Sequence, residues 1–243
     1  MTGSTAPAPA PARDVLVLMP AYDEGARIRS VVEAVRRQLD ADVLVVDDGS
    51  SDTTAREARR AGARVASHAV NLGYGVALQT GYRFALRAGY RAVLQLDADG
   101  QHEPSCIPAL LGALAGADVV VGSRFGQDGS YRPPALRRAG MWLFSRMLRA
   151  LSGRRFADPT SGFQALSRRA LEFYVHERYP ADYPDADVLA MAIRAGLRVV
   201  EVPVRMHASP AGKGMHAGVV RPVYYVFRML LALFLVLTRS EKR

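Results

Sequence analysis

The sequence predicts an α/β fold, in which a mostly parallel β-sheet is covered by helices. Three largely apolar runs support this prediction, because each ends in a polar loop that leads into a stretch with helical character; they are Val15–Met19, Asp42–Val46 and Ala92–Leu96. Such runs are typical of strands buried on both faces of a parallel sheet. Ligands of these sheets bind beyond the carboxyl ends of the strands, so the three loops form the candidate functional region. At 243 residues, 49% of them hydrophobic, the chain can form this core as one domain.

The loops after the first two runs are polar and acidic. Pro20–Glu24 follows the first run, and Asp47–Asp52 follows the second. Ser51 or Asp52 is a suitable N-cap for a helix that begins near Thr53, so part of this acidity is structural. Two adjacent aspartates before a glycine exceed what a helix cap needs, which favours ligand binding as well.

The third loop carries two aspartates separated by one residue, Asp97 and Asp99, directly after a strand. At that spacing both side chains point to one face at the carboxyl edge of the sheet. Two carboxylates can hold Mg²⁺ or Mn²⁺ while leaving coordination positions for phosphate oxygens. The alternative is a surface turn, since Asp, Gly and Gln are ordinary loop residues. We expect the nearby His102 to support this loop.

Five motifs in order make the chain resemble family 2 glycosyltransferases, which have the GT-A fold, a Rossmann-like sheet flanked by helices. The motifs are Pro20–Glu24, Val45–Asp52, Asn71–Gly75, Asp97–His102 and Gly122–Arg124. A sixth motif, Asp158–Phe163, is similar to the branch of dolichyl-phosphate mannosyltransferases and bacterial polyprenyl-phosphate glycosyltransferases. The ordered series is far more specific than any single motif.

The resemblance implies roles for individual residues. It implies a nucleotide-sugar site at Pro20, Tyr22, Glu24, Asp47, Asp48, Gly49 and Asp97. It makes Asp97, Asp99 and Gln101 ligands of the metal and the diphosphate. It also implies an acceptor-phosphate site at Arg124, Arg138, Ser161 and Arg205, where Arg205 stands in for an arginine that the chain lacks before Gly212 and Lys213. Asp97 and Asp99 are the expected catalytic residues, together with Asp187, which lies where relatives with sugar acceptors use an acidic residue.

Two residues depart from the usual family pattern. Asp23 stands where relatives usually have Asn, and it adds a negative charge near the expected diphosphate. Tyr74 stands where Lys is common, and it removes a cation. Gly73 and Gly75 still allow a tight turn into a helix that begins near Val76. Neither departure removes an expected metal ligand.

The charge of the chain is strongly positive, with a formal net charge of +9 at pH 7. Eight arginines and one acidic residue lie between Arg124 and Arg155. Interleaved apolar and aromatic residues predict an amphipathic helix within residues 133–152. Such a helix either contacts an anionic membrane surface, with Trp142 and arginines at the interface, or packs on the sheet with its arginines in solvent. Nucleic acid is an unfavourable partner, because no nucleic-acid-binding motif is present and the apolar face would remain unexplained.

The sequence also predicts how the chain is divided. Residues 1–12, rich in Ala and Pro, are expected to be a disordered leader, and residues 13–215 the catalytic domain. Residues 216–243 predict an apolar helix that lies in the membrane interface or binds a partner, since its longest apolar run, Met229–Leu237, is shorter than the ~20 residues that span a bilayer. A membrane-anchoring subunit or a homo-oligomer would suit this segment. The lone Cys106 excludes an internal disulfide.

The resemblance and the charge pattern together predict an inverting, metal-dependent transfer of a hexose to a polyprenyl phosphate. The donor would be of the GDP-mannose or UDP-glucose type. The enzyme is expected to associate peripherally with the cytoplasmic face of the cell membrane. One alternative is transfer to a sugar hydroxyl, which needs a carboxylate base such as Asp158, Asp185 or Asp187. Another is a catalytically silent membrane scaffold, against which the intact acidic loop argues.

Overall fold

The fold is an open β-sheet flanked by helices on both faces. The computed structural model describes residues 14–125, 135–176, 179–180 and 186–207. Within these residues the sheet has seven strands, which are β1 (Val15–Ala21), β2 (Asp42–Asp47), β3 (Arg64–Ser67), β4 (Ala92–Gln95), β5 (Val119–Ser123), β6 (Gln164–Ser167) and β7 (Val199–Pro203). Their order across the sheet is β3-β2-β1-β4-β6-β5-β7.

The strands pair mostly in parallel. β1 is parallel to both β2 and β4, β2 is parallel to β3, and β5 is parallel to β7. The exception is β6, which runs antiparallel to β4 and to β5. This arrangement confirms the mostly parallel α/β sheet that the three apolar runs predict.

Seven α-helices in the described residues cover the two faces of the sheet: α1 (Ile28–Gln38), α2 (Thr54–Arg60), α3 (Tyr74–Ala88), α4 (Ile107–Leu114), α5 (Ala135–Ser152), α6 (Arg168–His176) and α7 (Ala186–Arg194). Side chains of α3, α5, α6 and α7 belong to one buried cluster, and those of α1, α2 and α4 to a second. Strand β1 contributes to both, because Leu16 and Leu18 point to the first cluster while Val17 and Met19 point to the second. Burial on both faces explains why the strands read as continuous apolar runs.

The predicted boundaries differ from the observed ones by one or two residues. β1 continues to Ala21, and α3 begins at Tyr74 instead of near Val76. Helix α2 begins at Thr54, and its N-cap residue makes no side-chain capping bond. The amide of Thr54 instead donates to Asp52 Oδ1 at 2.8 Å, so this aspartate supports the helix start from one position earlier.

The amphipathic helix predicted within residues 133–152 is α5, and part of its apolar face is buried. Phe144 and Leu148 lie in the first buried cluster, with Met147 and Leu151 packed against it. Trp142 is 64% exposed, and the Arg146 guanidinium carbon lies 5.8 Å from the centre of its ring. The helix therefore packs on the protein through one side and presents an aromatic residue and arginines on another.

The predictions for the two chain ends lie outside the described residues, since neither 1–12 nor 216–243 is among them. Among the helices of the described part of the chain, none combines the length and the apolar character that crossing a membrane requires.

Candidate active site

The carboxyl ends of β1, β2 and β4 meet at one edge of the sheet. β1 lies between β2 and β4, and all three strands run in the same direction. β2 and β3 lie on one side of β1, and β4 lies on its other side. The direction in which successive strands are added to the sheet therefore reverses between β1 and β4. A crevice at such a reversal is the usual ligand site of an open α/β sheet.

Direct hydrogen bonds join the first two loops. Asp23 Oδ1 accepts from the amide and the hydroxyl of Ser51 at 2.9 and 3.2 Å, and the Asp23 amide donates to Ser50 Oγ at 3.0 Å. Asp23 has φ = 53°, a left-handed conformation that Asn and Asp tolerate better than most residues. The departure from Asn at this position therefore keeps the backbone geometry, and two donors from Ser51 solvate the added charge.

The remaining donor-site candidates of these loops differ in exposure. Tyr22 is exposed and Glu24 is half-buried, whereas Pro20 is buried at the end of β1. Asp47 is buried, and its Oδ1 accepts from the amide of Ser50 at 3.2 Å. Tyr22 and Glu24 are thus the members of this set that a ligand can reach directly.

Asp48 organises the loop that precedes α3. Its Oδ1 contacts His68 Nδ1 at 2.7 Å and accepts from the amide of Leu72 at 2.9 Å, while Oδ2 accepts from the amide of Gly73 at 2.8 Å. Gly49 has φ = 72°, and a Cβ there would lie 2.5 Å from the carbonyl carbon of Val70, so only glycine fits. The carboxylate of Asp48 thus serves the loop, and its proposed contact with a nucleotide stays a prediction.

Asp97 lies at the centre of the candidate site, with its side chain 31% exposed. Its Oδ1 accepts from the Tyr74 hydroxyl at 2.8 Å, and its amide donates to His102 Nδ1 at 3.0 Å. Burial lowers the pKa of His102, so the ring is neutral and accepts at Nδ1. The ring stacks on Phe163 with their centres 4.9 Å apart. The expectation that His102 supports the acidic loop is confirmed.

Asp99 and Gln101 form a compact unit in the same loop. The Gln101 amide donates to Asp99 Oδ1 at 2.9 Å, and its side-chain amide donates to Oδ2. In the described residues no group of three or more His, Cys, Asp or Glu side chains is arranged to hold a metal ion. Asp97 and Asp99 still suit Mg²⁺ or Mn²⁺, because such ions are commonly held by one or two carboxylates together with substrate phosphates.

The residues predicted for the acceptor phosphate differ in burial and in hydrogen-bond partners. Arg124 forms a buried bidentate pair with Asp158, through Nε–Oδ2 and Nη2–Oδ1 contacts of 2.6 and 2.8 Å. Ser161 is buried, and its Oγ accepts from the amide of Phe163 at 3.3 Å. Arg205 is exposed. The side chain of Arg138 and residue Lys213 lie outside the described part of the chain.

The base candidates for a hydroxyl acceptor are also constrained. Asp158 is fully buried, and Arg124 pairs with both of its carboxylate oxygens. Asp187 is buried in the first turn of α7, and Asp185 lies outside the described residues. The Asp158 amide donates at 2.7 Å to Glu201, whose carboxyl pKa is raised by burial. Asp158 therefore belongs to a buried polar network beneath the site.

The segment after β7 lies against the acidic loop. His102 and Met206 form an antiparallel bridge, and the His207 amide donates to the Gln101 carbonyl at 2.7 Å. His207 Nε2 contacts Glu103 Oε2 at 2.8 Å. Residues 206 and 207, which follow the predicted acceptor residue Arg205, thus lie beside the candidate metal site.

Sequence reasoning missed three side chains that shape the site. The sequence marks Tyr74 as the loss of a cation and carries no sign of its hydrogen bond to Asp97. His68, which contacts Asp48, carried no spacing signal. Gln95 had a visible signal, because it is the one polar residue inside the apolar run that precedes Asp97. Its amide donates to the Gly162 carbonyl at 3.1 Å and to Tyr74 Oη at 3.3 Å.

The sheet order, the reversal between β1 and β4 and the acidic loop at that point are those expected of the GT-A fold. A solved structure of glucosyl-3-phosphoglycerate synthase from Mycobacterium tuberculosis is similar, with a TM-score of 0.72, 24% identity and coverage of 95% of this chain and 82% of that one. This likeness shows the fold. The sequence model described as Glycosyl transferase family 2 matches residues 16–175, and the chain belongs to that family and is a glycosyltransferase.

Two relatives with an assigned name share most of the chain. The undecaprenyl-phosphate mannosyltransferase of Micrococcus luteus is 33% identical over 217 residues, which cover 84% of this chain and 88% of the relative. The polyprenol monophosphomannose synthase of Mycolicibacterium smegmatis is 31% identical over 224 residues, which cover 86% of this chain and 83% of the relative. One name describes a mannosyltransferase of undecaprenyl phosphate and the other a synthase of polyprenol monophosphomannose, in agreement with the branch that the Asp158–Phe163 motif resembles.

Proposed function

We propose that this chain transfers a hexose from a nucleotide sugar to a polyprenyl phosphate, with inversion and with the help of Mg²⁺ or Mn²⁺. The observation that carries the proposal is the acidic loop at the reversal between β1 and β4, where Asp97 and Asp99 place two carboxylates beside the donor-site loops. The names of the relatives from Micrococcus luteus and Mycolicibacterium smegmatis support the lipid-phosphate acceptor.

The acidic loop would act on the nucleotide-sugar donor electrostatically. A divalent cation held there supplies electrostatic stabilisation of the diphosphate leaving group. Asp97 and Asp99 would bind that cation, and Tyr22 and Glu24 are accessible to the nucleoside. Solved complexes of glucosyl-3-phosphoglycerate synthase with Mn²⁺ and UDP-glucose show such a donor and metal in this fold, with a TM-score of 0.68 and 24% identity.

An acceptor phosphate would need little help from a base. A phosphate monoester is ionised near neutral pH, so its oxygen can attack the anomeric carbon directly, opposite the departing nucleotide. A sugar hydroxyl would instead need a carboxylate to take its proton. Asp158 is unsuited to that role, because it is fully buried and paired with Arg124. This favours the phosphate acceptor over a hydroxyl acceptor that would rely on Asp158 as its base.

We also propose that the enzyme works peripherally at the cytoplasmic face of a membrane, where α5 would touch the lipid surface. Trp142 and Arg146 on that helix are exposed, and an aromatic ring beside a cation suits the headgroup region. The burial of Phe144 and Leu148 limits this contact to one side of the helix.

The test is transfer from radiolabelled GDP-mannose and UDP-glucose to undecaprenyl phosphate in detergent, with and without Mn²⁺. We expect label in the organic phase with one donor and its loss in Asp99→Ala, because a metal ligand is removed. Asp14→Ala is the matched control, since Asp14 is exposed at the start of β1, at the opposite edge of the sheet. Transfer by Asp99→Ala at the wild-type rate would contradict the metal assignment. Nucleotide binding without transfer would redirect the search to a sugar-hydroxyl acceptor and to Asp187.

A further inference from the structure

One of the two positions where the chain departs from the usual family pattern is in direct contact with the candidate metal ligand. Tyr74 begins α3, and its hydroxyl donates to Asp97 Oδ1 at 2.8 Å. A tyrosine hydroxyl carries no charge, so it orients the carboxylate without neutralising it. The same contact made by a lysine would reduce the negative charge available to a cation.

We propose that Tyr74 is a positioning residue, which holds the Asp97 carboxylate in the orientation that binds the divalent cation. The inference rests on the proposed function, because it assumes that Asp97 is a cation ligand. Oδ1 accepts from Tyr74, whereas the contact of Oδ2 with His102 Nε2 is longer, at 3.7 Å, so we assign Oδ2 to the cation. Groups that orient a metal ligand in this way often contribute much of the affinity of the site.

A buried amide fixes the direction of the hydrogen bond from Tyr74. Gln95 Nε2 lies 3.1 Å from the Gly162 carbonyl, which can only accept, so the amide nitrogen must face it. The same nitrogen lies 3.3 Å from Tyr74 Oη and donates to it. Because Tyr74 Oη accepts this bond, its own proton is directed to Asp97.

The carbonyl oxygen of the Gln95 side chain accepts a hydrogen bond from a residue of the buried core. Tyr82 is fully buried, and its hydroxyl donates to Gln95 Oε1. Burial raises the pKa of Tyr82, so this hydroxyl keeps its proton. The donors therefore follow one direction, from Tyr82 through Gln95 and Tyr74 to Asp97.

Close packing keeps the tyrosine and the aspartate in place. A Cβ at Gly162 would lie 2.9 Å from Tyr74 Oη and 3.1 Å from Asp97 Oδ2. These distances leave no room for a side chain, so the backbone at Gly162 closes one side of the pair. The Asp97 carboxylate is thus held in position by its partner and by its neighbour before any cation binds.

The chain offers a matched control. The hydroxyl of Tyr90 donates to Asp42 Oδ2 at 2.6 Å, which is also a tyrosine–carboxylate hydrogen bond. Asp42 is the first residue of β2, so this pair lies at the opposite edge of the sheet from the acidic loop. Tyr90→Phe removes the same kind of bond as Tyr74→Phe, and it leaves the candidate site unchanged.

The experiment is a titration of the purified full chain with Mn²⁺ in the presence of GDP or UDP, in which electron paramagnetic resonance measures free Mn²⁺. We expect Tyr74→Phe to raise the Mn²⁺ dissociation constant by about tenfold, and Tyr90→Phe to leave it unchanged, although each variant loses a tyrosine–carboxylate hydrogen bond. In the transfer assay the Mn²⁺ concentration for half-maximal activity should rise in Tyr74→Phe, while kcat recovers at saturating Mn²⁺.

The outcomes separate the inference from the proposed function. If the wild-type chain binds Mn²⁺ and Tyr74→Phe binds it equally well, the positioning role is wrong and the proposed function stands. A kcat that stays low at saturating Mn²⁺ also overturns the positioning role. If the wild-type chain binds no Mn²⁺ with either nucleotide, the proposed function fails, and the inference fails with it.

Discussion

The ion pair of Arg124 and Asp158 allows a test of whether an arginine that is expected to bind the acceptor phosphate also stabilises the folded protein. Asp158 is 0% exposed and the Arg124 side chain 12% exposed, and their bidentate contacts measure 2.6 and 2.8 Å. Arg124 Nη2 also donates to Thr160 Oγ1 at 3.3 Å. Arg124→Ala removes these side-chain contacts and leaves the Asp158 carboxylate buried. The backbone amide of residue 124, which lies 3.1 Å from Asp158 Oδ2, can still donate to it.

The expected cost follows from the burial of the charge that is left behind. Removing one partner of a buried ion pair destabilises a protein by about 3 to 5 kcal/mol, because the remaining charge loses its compensation. For a domain of this size, about 1 kcal/mol lowers the melting temperature by roughly 2 to 4 °C. Arg124→Ala should therefore lower the melting temperature by roughly 6 to 20 °C.

The measurement is thermal unfolding followed by circular dichroism, without lipid or detergent. Arg29→Ala is the control, since Arg29 pairs with Glu33 at 2.9 Å but the two side chains are 57% and 44% exposed. An exposed helix pair contributes about 0.3 to 0.5 kcal/mol, so this variant should stay close to wild type. If Arg124→Ala is no less stable than Arg29→Ala, the guanidinium does not stabilise the buried carboxylate and the reasoning from burial is wrong.

Three further predictions test the loops and α5. Gly162→Ala should weaken Mn²⁺ binding and lower the free energy of unfolding by about 1 to 3 kcal/mol, because its methyl group would press on the Asp97 carboxylate. A Mn²⁺ titration and thermal unfolding measure the two effects, and unchanged values would refute the close packing. Asp48→Asn should lower the free energy of unfolding by about 2 to 3 kcal/mol, since an amide leaves buried donors of the loop before α3 unsatisfied. A urea midpoint equal to that of wild type would count against the role of Asp48 in that loop. Trp142→Ala should change stability by less than about 0.5 kcal/mol, because the ring is exposed, yet reduce flotation with anionic vesicles; equal flotation would leave α5 as a packing helix.

The fold class could be predicted because burial on both faces leaves a direct signal in the sequence. Val15–Met19 must be apolar at every position, since Leu16 and Leu18 enter one buried cluster while Val17 and Met19 enter the other. The acidic loop was also predictable, because Asp97 and Asp99 directly follow such a run. The antiparallel β6 had no comparable signal, since strand direction depends on long-range pairing and not on local composition.

The predicted site residues have partners that the sequence could not supply. Asp48 contacts His68, 20 positions away, and Arg124 contacts Asp158, 34 positions away. Tyr74 and Asp97 are separated by 23 positions. No periodicity or spacing rule connects residues at these separations, so the sequence marked the charged groups without showing which of them are already paired.

The sequence by itself determined the class of fold, the three loops at one edge of the sheet and the acidic residues that belong to a glycosyltransferase of family 2. These features are local, because hydrophobic periodicity and short motifs are set by neighbouring residues. Only the tertiary structure decided that Asp48 serves a loop, that Arg124 is held by a buried carboxylate and that Tyr74 orients Asp97. Hydrogen bonds depend on distance and direction in space, and folding alone brings residues from different strands and helices within that reach.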